Sequence, residues 1–408
     1  MSSKGKYAIL LLSSVLVIYA IIGGMLGRVS AQSGSYQQLS VFSDVLKYVI
    51  NDYVDEPSMK DAFNGAIRGL IESVDPQGGF LTPADVTFYK SYDPNKTPGV
   101  GAILSKRAGY PMIIAAVPGS PAAKAGLSTG DFIEAIDGMT TREMNVVQIH
   151  GMLSNPAGKP ASVSVIRRRR ADPEVIALNR EVLQAPAVEA KIIESNVAYI
   201  KVPYLGPGKA LEAKKQLDAL IKKGANSVIL DLRFAAGGID KEGVQLANLF
   251  IETGTIATLQ GQKFEKETYS ANARELLTKA PLVVLINQGT AGAAEIAAGA
   301  IADNSRGQLV GVKSFGLGGY QKLLPLENGN ALLISVAKYH TPAGKEISDG
   351  GVAPNVEQAQ AGEEIIDPRS DDQLDVVPAP DQPATPEDRQ LKKAIEVLKN
   401  PAALKKAA

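Results

Sequence analysis

The feature that most limits the fold is an alternation of strands and helices between residues 187 and 302. Residues 227–232 and 281–286 are short apolar stretches that read as buried strands, and 197–202 reads as a third. Among and after them lie an amphipathic helix over 210–223, a helix over 243–251 and a helix of small residues over 291–302. Strand and helix in turn mark a layered, mixed α/β domain.

The pattern upstream is different. Residues 39–54 carry Leu39, Phe42, Val45, Leu46 and Val49 at helical spacing, and 59–74 repeat that spacing until Asp75-Pro76 stops it. The two read as packed helices in an N-terminal helical region, 36–96. From residue 97 glycines and short β-branched runs take over. Strands over 113–117, 132–136 and 163–166, a short helix over 121–127 and the Asp137-Gly138 turn make 97–184 a small β-rich module. The arginine run 167–170 has two readings, a solvated hairpin tip and a contact for anionic headgroups. The α/β core then fills 185–358, and 359–386 reads as a flexible linker rich in Pro, Asp, Gln and Ala. A last helix, within 387–408, sets Leu391, Ala394, Ile395 and Leu398 on one face.

Composition removes several function classes. With 408 residues, 45% of them apolar, the chain supports two or three domains with real cores. Its 43 basic residues balance 43 acidic ones, so nothing electrostatic points to nucleic acid. There is no cysteine, which excludes disulfides, thiol catalysis and thiolate metal sites. His150 and His340 are the only histidines, too few for a His-rich metal cluster; no metal and no cofactor are expected. His150 reads as a helix surface residue and His340 as a packing residue.

Residues 7–26 hold no charge, enough to cross roughly 30 Å of hydrocarbon as a single N-terminal transmembrane helix. Lys4 and Lys6 before it and Arg28 after it favour a cytoplasmic N-terminus. The alternative for 1–28 is a cleaved signal peptide, since Val29-Ser30-Ala31 resembles a small-x-small cleavage site. Either way the remaining chain is expected outside the cytoplasm.

Gly119-Ser120-Pro121-Ala122-Ala123-Lys124-Ala125-Gly126-Leu127, then Gly130-Asp131-Phe132-Ile133 and Ile136-Asp137-Gly138, resembles a bacterial PDZ domain. Such domains add a peptide as a strand and hold its C-terminal carboxylate on backbone N–H groups. By that resemblance the carboxylate loop is 97–102, with Gly99, Val100 and Gly101 at its centre.

The core is similar to the tail-specific, or C-terminal processing, serine peptidases of ClpP/crotonase-like fold. The matching blocks run in order. Asp75-Pro76 comes first, then the PDZ insertion, Ile229-Leu230-Asp231-Leu232-Arg233 ending in Gly237-Gly238, and 281–287. Ala294-Glu295-Ile296, Gly311-Val312-Lys313-Ser314-Phe315-Gly316, Lys338-Tyr339-His340-Thr341-Pro342-Ala343-Gly344 and Gly351-Val352-Ala353-Pro354 follow. The resemblance implies an extracytoplasmic, inner-membrane-anchored protein of a bacterial envelope.

It fails at two positions. Where the family carries its nucleophilic serine this chain reads Thr290-Ala291-Gly292-Ala293-Ala294-Glu295, with Gly292 in the place of the nucleophile. Where the family carries its general-base lysine it reads Phe315-Gly316-Leu317-Gly318, so Leu317 replaces the base. The supporting glutamine survives as Gln321, and backbone N–H groups of Gly237, Gly238 and Ala293 match the oxyanion hole. The expected function is a pseudoprotease that binds protein C-termini or serves as a scaffold in the envelope without cutting. The alternatives are a regulatory subunit that oligomerises with an active relative, and an active serine-type peptidase using Thr290 or Ser314.

Overall fold

The computed structural model describes residues 33–400 except 108, 157, 168–171, 349 and 362–386. The expected membrane helix at 7–26 lies outside these; among the described residues no helix is long and apolar enough to cross a membrane. Most of the expected linker, from 362 to 386, also lies outside them.

The chain divides into two units, Met1–Ile67 and Arg68–Ala408. The first contains α1 (Ser33–Asp52) and the opening turns of α2 (Met59–Val74). Leu39, Phe42 and Val45, expected to be packed, are exposed on α1. Leu46 and Val49 of the same stripe are half-buried, so the helical period holds and its burial is partial.

The second unit begins with the end of α2, β1 (Gly79–Leu81) and α3 (Pro83–Ser91), the last capped by Thr82 and Asp85. The β-rich module follows as β2 (Ala102–Arg107), β3 (Tyr110–Ala116), α4 (Pro121–Lys124), β4 (Phe132–Ile136) and β5 (Met139–Thr140). It is completed by α5 (Val146–Ser154), β6 (Ala161–Ile166) and β7 (Glu174–Leu178). Its sheet runs β2-β3-β4-β6-β7, which leaves β2 at an edge. Val100, Ala102 and Leu104 share its core with Ile149 and Leu153 of α5.

The α/β core comprises β8 (Glu189–Ile193), β9 (Val197–Lys201), α6 (Lys209–Lys222), β10 (Ser227–Asp231) and α7 (Asp240–Asn248). It continues with β11 (Thr255–Gln260), β12 (Glu267–Ser270), β13 (Leu282–Ile286), α8 (Ala293–Asp303) and β14 (Gln308–Gly311). Last come β15 (Gly319–Pro325), β16 (Ala331–His340), β17 (Val356–Glu357) and α9 (Arg389–Lys399). One sheet, in the order β17-β14-β13-β10-β9-β8, is parallel except for β8. A second, antiparallel sheet runs β1-β16-β11-β12, with β15 on β16.

Both faces of the parallel sheet are apolar, as its uninterrupted strands require. Val228, Leu230, Val284 and Ile286 pack towards α6, α7 and α8. Ile229, Val283 and Leu285, at the alternate positions, meet Ala394, Ile395 and Val397 of α9. The C-terminal helix therefore supplies one side of the core. Its start is held by charge: Arg233 Nη1 and Nη2 donate to the two Asp388 carboxylate oxygens at 2.8 and 3.0 Å. The same guanidinium donates to Asp231, which is fully buried and also accepts from the Tyr199 hydroxyl at 2.7 Å.

Candidate functional site

The strand β13 ends in a loop fixed by two polar side chains. Asn287 Oδ1 accepts from the N–H groups of Phe234 and Gly289 at 2.9 and 3.1 Å. Thr290 Oγ1 accepts from Asn287 N–H at 3.0 Å and donates to the Leu232 carbonyl at 2.8 Å. Thr290 is buried, and its hydroxyl works as a structural tie.

The chain then turns sharply into α8 at Gly292, whose φ of 62° and ψ of −120° strain any residue with a Cβ. A Cβ built there would meet a single neighbour within 4 Å, the Leu317 carbonyl oxygen at 3.9 Å. There is room for a side chain at 292, and it would face 317. The two positions singled out by sequence are thus brought together, one without a side chain and the other with a hydrocarbon one.

What joins them is Glu295, a residue to which sequence reasoning gave no role. Its Oε2 accepts from Gly292 N–H at 3.0 Å and Leu317 N–H at 2.8 Å. Its Oε1 accepts from Gly316 N–H at 2.7 Å and from the Ser314 hydroxyl. Burial pushes this carboxyl up to about 7, against the pull of its four donors. The sequence signal was an acidic residue three positions into a helix, the capping-box pattern. Ser314 is itself buried and accepts from Val352 N–H at 2.6 Å, so its hydroxyl is committed on both sides.

The glycine loop follows β10 in the chain. Gly237 and Gly238 have φ of 74° and 97°, and a Cβ on Gly238 would lie 2.2 Å from the Leu205 carbonyl oxygen. Only glycine fits at that crossing. Ala293 opens α8, where first-turn N–H groups have no partner within the helix. Phe234 adopts φ of 58° and is half exposed, next to Arg233 and its ion pairs.

The β-rich module lies over these loops. Met112, Ile114 and Ala115 of β3 form one buried apolar cluster with Ala236, Ala291 and Phe315, and Ile103, Phe132 and Leu317 pack against it. Ile103 reaches to 3.1 Å from the place of a Cβ on Gly237. The Arg107 guanidinium sits 5.5 Å from the centre of the Phe315 ring. Leu317 therefore packs in a hydrocarbon environment.

The loop 97–102, expected to hold a carboxylate, is tied to its neighbours. Gly99 exchanges backbone bonds with Glu181 at 2.8 and 3.0 Å, Val100 O accepts from Ala122 N–H, and Gly101 O accepts from Val117 N–H. A Cβ on Gly101, at φ 79°, would lie 2.2 Å from Ser120 Cβ. Among the described residues no hydrogen bond uses the N–H of Val100 or Gly101. Adjacent free N–H groups beside a positive-φ glycine make an anion-binding concavity.

Gln321 sits on β15, and its Nε2 donates to the Gln77 carbonyl at 2.8 Å. Two further readings need correction. His150 is half-buried beside the Tyr92 ring, at 6.2 Å between centroids, and burial lowers its pKa, because α5 packs on α3. Arg167 is no solvated tip: it bonds Asp131 at 2.9 Å and Glu174 at 3.2 Å. The arginines 168–170 lie outside the described residues. His340 is half-buried on β16, with Nδ1 3.0 Å from the Lys338 carbonyl.

Comparison with known proteins defines the class. Residues 196–358 match the description "Peptidase family S41" and residues 112–167 match "PDZ domain". A carboxyl-terminal-processing protease from Picosynechococcus sp. is 30% identical over 84% of this chain and 88% of its own length. The carboxy-terminal processing protease CtpA of Bacillus subtilis is 30% identical over 81% of this chain and 71% of its own. A solved structure of a photosystem II D1 C-terminal processing protease superposes with a TM-score of 0.67 at 26% identity. It covers 78% of this chain and 86% of its own.

The chain belongs to peptidase family S41, with a PDZ domain, among relatives named as carboxyl-terminal-processing proteases.

Proposed function

We propose that this S41 chain captures protein C-termini without cleaving them. One observation carries the reading: the turn that would present a nucleophile holds Gly292, and the residue facing it is Leu317. Neither can attack a carbonyl nor accept a proton. The hydroxyls of Thr290 and Ser314, close by in sequence, are buried and hydrogen-bonded. The binding parts remain, in the free N–H groups at Val100 and Gly101 and in the glycine pair 237–238. The uncharged stretch 7–26 supports a membrane-anchored chain with these domains outside the cytoplasm of a bacterium, and a cleaved signal remains its alternative.

The test is titration of the full-length chain into labelled peptides with free C-termini, with mass spectrometry of the same mixtures. Saturable binding, lost when the C-terminus is amidated or when Gly99 and Gly101 are both replaced by alanine, is expected without new fragments. Fragments at a rate proportional to protein would overturn the reading.

A second reading, an active peptidase, is favoured by the relatives' names and by the Ser314–Glu295 pair, a hydroxyl donating to a carboxylate that titrates near neutrality. It requires that Ser314→Ala abolish turnover.

A further inference from the structure

The edge of β2 is partly occupied by the protein itself. Lys106 pairs with Pro111 across the β2–β3 ladder. Proline has no N–H, so this must be a non-hydrogen-bonded pair, and the N–H and C=O of Lys106 point away from β3. By alternation Leu104, opposite Ile113, points the same way. Consistent with that, Ile113 spends its own N–H and C=O on Asp131 and Gly130 at 2.8 and 2.9 Å. The β2–β3 register shifts between Ile103 and Leu104, but Gly101 O accepts from Val117 N–H on the β3 side, so Ala102 keeps the outward phase.

At Lys106 those outward groups are taken by one side chain. Gln77 Oε1 accepts from Lys106 N–H at 3.3 Å, and Gln77 Nε2 donates to Lys106 O at 3.2 Å and to the Ser105 hydroxyl. A primary amide that both accepts from and donates to one residue reproduces the bonds of a neighbouring strand. Gln77 is fixed from two sides: its N–H donates to Asp75 Oδ1 at 3.0 Å and its carbonyl accepts from Gln321, while Lys106 pairs separately with Glu72. Ser105 and Lys106 are buried by this arrangement.

We infer that Gln77 is a built-in stop that limits strand addition at β2 to the last four residues of a bound C-terminus. The inference rests on the peptide-capturing reading above. With the carboxylate on Val100 and Gly101, the last peptide residue lies opposite Ala102 and the third from the end opposite Leu104. The fifth falls opposite Lys106, where Gln77 already sits. Val100, Leu104, Ile149 and Leu153 beneath this edge are apolar and buried, so an aliphatic tail is the probe chosen.

The probes are N-acetylated four- and eight-residue peptides sharing the tail Ala-Leu-Ala-Val, titrated by anisotropy into the full-length chain. Both are expected to bind within about twofold of each other. Gln77→Ala opens two backbone groups and should tighten the eight-residue peptide alone by about tenfold. Backbone N-methylation supplies a readout in the unmodified protein. Methylating the third residue from the end weakens binding by about tenfold, and methylating the fifth does nothing. Sensitivity to the fifth position, or an eight-residue peptide binding much tighter than the four-residue one, overturns the stop while leaving capture intact. No binding of either peptide overturns capture and the stop together.

Discussion

Replacing Gly292 by serine and Leu317 by lysine in the same chain is the sharpest test of the proposal that it captures without cutting. The structure sets the cost. A serine at φ 62° carries roughly 1–3 kcal/mol of backbone strain. It meets no atom closer than the 3.9 Å carbonyl of residue 317, so packing adds little. Lysine at 317 gives up a leucine in the cluster around Phe315 and Ile103, roughly 1–3 kcal/mol, partly offset by its own methylenes. That apolar setting also lowers an amine's pKa, which a general base needs. Members of a catalytic unit act together, and losing one costs up to about a million-fold. Each single variant should therefore stay near the parent, while the double variant gains at least about a thousand-fold in kcat/KM on a fluorogenic C-terminal peptide. If the parent turns over as fast as the double variant, or Gly292→Ser alone gives the whole gain, the account of the site is wrong.

Other expectations follow from the same geometry. Glu295, buried and raised to about 7, contributes stability that is full below its ordinary value near 4.5 and lost as pH rises through 7. Glu295→Gln should flatten the melting temperature between pH 5 and 8, and an unchanged slope would show that another group carries it. The same substitution turns an NH₂ towards two backbone donors, costing about 2–6 kcal/mol before the relief of removing a buried charge. Gly238→Ala should cost more than about 3 kcal/mol in denaturant unfolding, since its methyl would lie 2.2 Å from the Leu205 carbonyl. Ile395→Ala should cost about 2–4 kcal/mol and make α9 the first site of limited proteolysis.

Much of this was legible before any coordinates. Apolar runs placed β10 and β13, and a proline placed the end of α2, because short-range patterns decide local structure. Gly292 and Leu317 were visible too, as departures from the resembled motif, since a motif is read residue by residue. What sequence could not supply was the chemistry of contacts between distant segments. Gln77 meets Lys106 across 29 residues and Arg233 meets Asp388 across 155, and neither pair shares any periodicity. Glu295 caps α8, and both its oxygens also serve a loop about 20 residues downstream, a link that no local pattern announces. The exposed Leu39, Phe42 and Val45 err in the other direction: a helical stripe states which residues could be buried, not that something covers them.

The position of α9 has a consequence for the making of this protein. The sheet face of Val197, Tyr199, Ile229, Val283, Leu285 and Val310 is closed by a helix that is synthesised after all of them. Between the appearance of Arg233 and that of Asp388 lie 155 residues, roughly 8–30 s of elongation. For that interval the nascent core presents an apolar face, and Arg233 lacks its second carboxylate. A chain stalled or clipped before α9 would therefore carry a near-complete set of strands and be prone to stick to its neighbours through that face.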